Sequence, residues 1–149
     1  ATKMKTFLGN KKLGVTGVNN LEGIQKIGNY SFHQISSLTT ATLPDSIEII
    51  GGASFKDTSL TGELNIPKNT VEIYPYAFDN TNISALKLNN GLKRIGSYAF
   101  SDCSALGGTL TLPDTLNYLE DAAFYQCSNL TGDLTIPAGV TKIGNRSIF

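Results

Sequence analysis

A six-residue phrase, Ile-Gly-x-x-Ala/Ser-Phe, recurs along nearly the whole chain. Its copies begin at Ile27, Ile50, Ile73, Ile95, Leu119 and Ile143, with steps of 23, 23, 22, 24 and 24 residues. Self-similarity at a period of about 20–50 residues is the signature of a stacked-repeat protein. Further columns keep the same spacing. One holds Pro44, Pro67, Asn89, Pro113 and Pro137. Another holds Phe32, Phe55, Phe78, Phe100 and Phe124, with Ile148 in the sixth place. A third holds Ile35, Thr58, Thr81, Cys103 and Cys127. A unit of this size buries too little apolar surface to fold alone, whereas stacked units share one continuous core. Equivalent side chains then lie about 4.8 Å apart, the spacing of paired strands.

The expected architecture is an α/β repeat solenoid of about six coils. A parallel β-sheet forms one face, and short helical turns complete each coil. Thr40–Pro44 and its counterparts at 63–67, 85–89, 109–113 and 133–137 alternate apolar and polar residues, which predicts half-buried strands. A second, shorter extended run precedes each Gly, as in Leu92-Lys93-Arg94-Ile95. The Tyr-Ala-Phe-Ser-Asp-Cys stretch of 98–103 reads as one turn of helix. Gly28, Gly51, Gly96 and Gly144 share a column with Tyr74 and Glu120, so that position does not demand a left-handed backbone. Gly62, Gly107/Gly108 and Gly132 precede three strand phrases, and the third coil lacks that Gly.

Residues 1–20 carry Lys3, Lys5, Lys11 and Lys12 outside the register. They read as a segment capping the first coil, with a basic docking arm as the rival. Residues 21–149 form the repeats. The last coil stops without a polar cap. A fragment of a longer protein and one half of an end-to-end assembly both account for that ending.

Twelve basic residues balance twelve acidic ones, so no strong field draws the chain to nucleic acid. No stretch of 18 apolar residues is present, which excludes a membrane-spanning helix by sequence. Charged residues make up only 16%. Thr, Ser, Asn and Gly take their place, a surface more like that of secreted proteins. The single histidine, His33, stands in a polar turn column and finds no triad partner in the pattern. No metal or other cofactor is implied. Cys103 and Cys127 are within disulfide reach of one another in adjacent coils. Packed free thiols and a disulfide are both open.

The phrases Leu-Thr-Ile-Pro (134–137), Ile-Gly-Ser-Tyr-Ala-Phe (95–100) and Phe-x-x-Cys-Ser-x-Leu (100–106 and 124–130) resemble the BspA-type leucine-rich repeats. The resemblance covers about 21–149. It implies a right-handed solenoid and an extracellular or cell-surface protein-interaction role of adhesion type, without catalytic residues. Extracellular or host proteins are the implied partners. The alternative is a carbohydrate-binding or structural spacer segment of a larger surface protein. The outward positions of the strand phrases form the expected protein-binding row: Thr42, Glu63, Asn65, Lys87, Thr111, Asp133 and Thr135. Tyr30, Tyr76 and Tyr98 form a second row.

Overall fold

The distances between columns decide where the continuous sheet lies. From the Pro column to the Thr/Cys column every complete repeat has the same length. From the Thr/Cys column to the next Pro the length varies. Hydrogen bonding in register from coil to coil needs equal lengths. The long sheet therefore falls on the constant part.

A computed structural model describes residues 4–9 and 14–148. Its main sheet has seven parallel strands, each two residues long. They are β1 (Thr6–Phe7), β3 (Lys26–Ile27), β5 (Ile49–Ile50), β7 (Glu72–Ile73), β9 (Arg94–Ile95), β10 (Tyr118–Leu119) and β11 (Lys142–Ile143). All pair in unbroken register, for example Ile50 with Ile73 and Ile73 with Ile95. The short extended run before the Gly thus carries the continuous sheet, not the longer strand phrase. The strand phrases pair only in part. β2 (Gly17–Val18) joins β4 (Thr40–Ala41), and β6 (Thr61–Asn65) joins β8 (Asn82–Lys87). The next two coils share a single bridge, Gly108 to Leu130. The register shifts between Gly62 and Glu63, where β8 carries one extra residue, Ser84, without a partner. Gly62, Gly108 and Gly132 all sit at left-handed φ of 74–78°, a conformation glycine adopts without a Cβ penalty.

The expected helical turn is replaced by a ladder of tight turns, and the described residues contain no helix. In the fourth coil, alternate N–H groups reach the next coil: Tyr98 to Asp121 O at 3.0 Å, Phe100 to Ala123 O at 2.8 Å and Asp102 to Tyr125 O at 2.8 Å. The intervening Ala99 and Ser101 close three-residue turns onto Gly96 O and Tyr98 O. With every second donor committed to a neighbour, the i to i−4 bonds of an α-helix cannot form. Two non-glycine residues per turn take left-handed φ, such as Tyr98 at 59° and Asp102 at 55°. The Gly column has no such φ, as expected. A Cβ on Gly96 would lie 2.6 Å from Pro75 N and 2.7 Å from Tyr74 C, so glycine there permits close approach of the preceding coil. Gly96→Ala is expected to destabilise by about 1–3 kcal/mol through this overpacking; urea unfolding monitored by circular dichroism measures it.

The core is built of ladders. Phe7, Phe32, Phe55, Phe78, Phe100 and Phe124 stack with centroids 5.1–5.4 Å apart and planes within 20°. Ile27, Ile50, Ile73, Ile95 and Leu119 are fully buried beside them. Phe7 comes from the segment before the repeats, which supplies a strand to each face through β1 and β2. Lys3, Lys11 and Lys12 lie outside the described residues. Phe100→Ala removes the middle of three adjoining rings and should cost about 3–5 kcal/mol. An unchanged midpoint in the same urea titration would contradict the stacked-core account.

Cys103 and Cys127 are both free and buried. Their column supplies donors to carbonyls: Cys127 Sγ donates to Phe100 O at 3.0 Å, Cys103 Sγ to Phe78 O at 3.4 Å, and Thr58 Oγ1 to Phe55 O at 2.8 Å. The Cys103 side chain and burial push the Cys127 thiol well above its ordinary range, so it stays protonated. Cys127→Thr keeps a donor of similar size and should shift stability by less than about 1.5 kcal/mol. Cys127→Ala strands a buried carbonyl and should cost about 1–3 kcal/mol. Equal melting temperatures for the two variants would overturn the donor role.

Candidate interaction surface

The expected row of binding residues is exposed but does not form one surface. Glu63 and Asn65 of β6 and Lys87 of β8 share the two-stranded patch. Lys87 Nζ lies 3.6 Å from Glu63 Oε1, so the two charged breaks in the row face each other. The Thr42 backbone N–H donates to Val18 O at 2.8 Å on the neighbouring patch. Thr111, Asp133 and Thr135 sit on extended segments outside the strands. No aromatic residue rises among these seven.

The seven-stranded sheet presents different chemistry. In a strand, alternate residues face opposite sides. Each inward Ile or Leu therefore leaves its predecessor outward: Glu72, Arg94, Tyr118 and Lys142 in the last four coils. Tyr74 and Glu120 replace glycine one step after the inward residue. Glu72, Tyr74, Arg94, Glu120 and Lys142 line a shallow groove of about 430 Å³ over Gly96, with Pro75 and Ser97 at its edge, and Tyr118 stands beside it against Arg94. Arg94 Nη1 donates to Glu120 Oε1 at 2.6 Å, and Lys142 Nζ reaches Glu120 Oε2 at 2.6 Å. Arg94 Nε is 3.9 Å from Glu72 Oε2. The Arg94 guanidinium lies 4.2 Å from the Tyr118 ring centroid, and Lys26 Nζ lies 5.3 Å from that of Tyr74. The hydrogen bond and charge of Glu120 hold the Lys142 ammonium above its ordinary pKa.

Around the corner, Tyr76 and Tyr98 stack with centroids 4.9 Å apart and planes 1° from parallel, both exposed. Lys56 covers the Tyr76 ring at 5.4 Å and pairs with Asp79 at 2.7 Å. Burial pushes the Asp79 carboxyl up, against the pull of Lys56. Tyr30 of the same row meets His33 edge-on at 5.4 Å rather than another tyrosine, because Ala53 interrupts the column. Arg94 and Tyr118 were absent from the sequence-based row. The signal for them is the outward position before each inward Ile or Leu. Among the described residues no group of three His, Cys, Asp or Glu could hold a metal ion.

Six copies of the BspA-type leucine-rich repeat model match residues 25–149. The chain belongs to the BspA-type leucine-rich repeat family. No curated protein sequence matches it. Its fold is similar to that of a leucine-rich repeat protein from Bacteroides ovatus, with a TM-score of 0.71 and 21% identity, covering 94% of this chain and 43% of that one. It is also similar to the Treponema leucine-rich repeat protein described as T. pallidum TpLRR, with a TM-score of 0.62 and 21% identity over 81% of this chain and 66% of that one. The pneumococcal vaccine antigen PcpA aligns with a TM-score of 0.55 and 21% identity, over 87% and 46% of the two chains. The BspA-type chain thus spans less than half the length of two of these three structures. Members of such repeat families present their faces as interaction surfaces.

Proposed function

We propose that this chain is a non-enzymatic interaction module of a surface-exposed or secreted protein. It binds a protein partner through the groove of the seven-stranded sheet. One observation carries the choice of face: Arg94 and Tyr118 stand stacked and exposed on a continuous sheet. Interface hot spots favour Tyr and Arg, and side chains held by neighbours lose less entropy on binding. The Tyr118–Arg94–Glu120–Lys142 chain meets both conditions, while the strand-phrase patch has neither ring nor guanidinium. Low charge and a surface rich in Thr, Ser and Asn support an extracellular setting, as does fold similarity to a protein described as a vaccine antigen.

The test is capture of extracellular-matrix proteins on immobilised protein, beside a glycan array. Tyr118→Ala is expected to weaken the captured protein by about tenfold or more, the effect of losing a hot spot. Lys87→Ala should leave it nearly unchanged. The reverse pattern would return the site to the strand-phrase face, and binding only to glycans would remove the protein-interaction reading. Labelling of intact producing cells by an antibody to this chain checks the surface placement.

A further inference from the structure

The charges that the groove shows to solvent are not the charges it contains. Glu120 is the hub of the ion network, yet its side chain is only 12% exposed. Arg94 and Lys142, which flank it, are 40% and 54% exposed. Both Glu120 oxygens are engaged by those two cations at 2.6 Å, so the carboxylate faces inward as their anchor. Lys93, just before Arg94, is exposed as well. The groove therefore turns the outer ends of two cations toward solvent beside tyrosines, above the carboxylate that holds them. Two exposed carboxylates stand nearby. Glu72 touches Arg94 only at 3.9 Å, and Asp121 uses one oxygen to accept the Asn145 N–H at 2.8 Å.

We propose that the groove takes an acidic, extended peptide segment of the protein partner. Its carboxylates are received by Arg94 and Lys142, and its backbone lies across the sheet beside Tyr118 and Tyr74. This rests on the interaction reading above and specifies the partner's chemistry. Arg94 and Lys142 each bond one oxygen of the same carboxylate at 2.6 Å, which holds their charged heads within about 7 Å of each other. Carboxylates two residues apart on an extended chain share one face and are separated by about 7 Å. The Tyr118 ring beneath Arg94 and the carboxylate of Glu120 hold the guanidinium in place, leaving its remaining N–H groups for an incoming carboxylate. The exposed heads of Arg94 and Lys142 favour an acidic segment over a basic one at contact distance.

Fluorescence anisotropy with labelled hexa-aspartate, hexa-lysine and chondroitin sulfate tests this on the full chain. Hexa-aspartate should bind and hexa-lysine should not. Affinity should fall as salt rises from about 50 to about 200 mM. Lys142→Ala and Arg94→Ala should each weaken hexa-aspartate by about tenfold. Arg94→Lys should recover part of the loss, and Glu72→Gln should strengthen binding. Circular dichroism melts separate loss of binding from loss of fold. Equal affinity for the acidic and basic peptides, or no effect of the Arg94→Ala, Lys142→Ala pair, would overturn the proposal. Chondroitin sulfate binding that needs Arg94 and Lys142, without hexa-aspartate binding, would overturn it in favour of an acidic glycan. Failure of hexa-aspartate while a captured matrix protein still depends on Tyr118 would defeat this inference alone.

Discussion

Coil-to-coil hydrogen bonding is the constraint on which everything else here depends. Each coil lies one strand spacing from the next, and its backbone donors are distributed between its own turn and its neighbour. This spacing suits face-to-face packing of aromatic rings, so the Phe column becomes a stack. It also brings the buried thiols of Cys103 and Cys127 within reach of the Phe carbonyl of the preceding coil. Buried backbone acceptors need such partners, because an unpaired carbonyl in an apolar core is costly. The core is thus a set of ladders, and each ladder tolerates only side chains that preserve the spacing.

The same constraint explains what was legible in the sequence. The repeat number, the buried Ile and Phe columns and the parallel stacking follow from spacing alone. The main sheet was placed on the wrong phrase, since alternation in Leu-Thr-Leu-Pro is the stronger strand pattern. Register overrides that local preference. The strand phrases differ in length by one or two residues between some coils, so they pair only in part, with Ser84 bulged out between β6 and β8. The two-residue strands before the Gly never change length and therefore pair throughout. The helical turn failed for a related reason. An i to i+3 pattern of small and aromatic residues suggests helix, but the pattern does not show that alternate donors leave for the next coil.

The candidate site was half legible. Tyr74 and Glu120 stood out as replacements in a glycine column, but their outward neighbours Arg94, Tyr118 and Lys142 were hidden by the placement of the sheet. Substituting that column has a geometric consequence. At Gly28, Gly51, Gly96 and Gly144 the N–H bonds to the preceding coil are 2.7–2.8 Å long. At Tyr74 and Glu120 they are 2.9 and 3.0 Å. The coil-to-coil bond persists in all six coils, and side chains enter the column without breaking it.

The glycine column limits how a repeat protein of this kind can specialise. The backbone of the preceding coil lies against the glycine column, as the close approach of Pro75 to Gly96 shows. Side chains in the column must be accommodated by local spreading, and spreading in successive coils would accumulate along the stack. The chain places them in alternate coils, at Tyr74 and Glu120, with Gly51, Gly96 and Gly144 around them. Glycine between them leaves a floor, and the flanking side chains make walls, so a groove follows from the alternation itself. Charges from the outward strand positions then reach across: Arg94 and Lys142 converge on Glu120 from the coils on either side of it. A buried carboxylate at that hub gathers two neighbouring cations whose outer ends stay open to solvent.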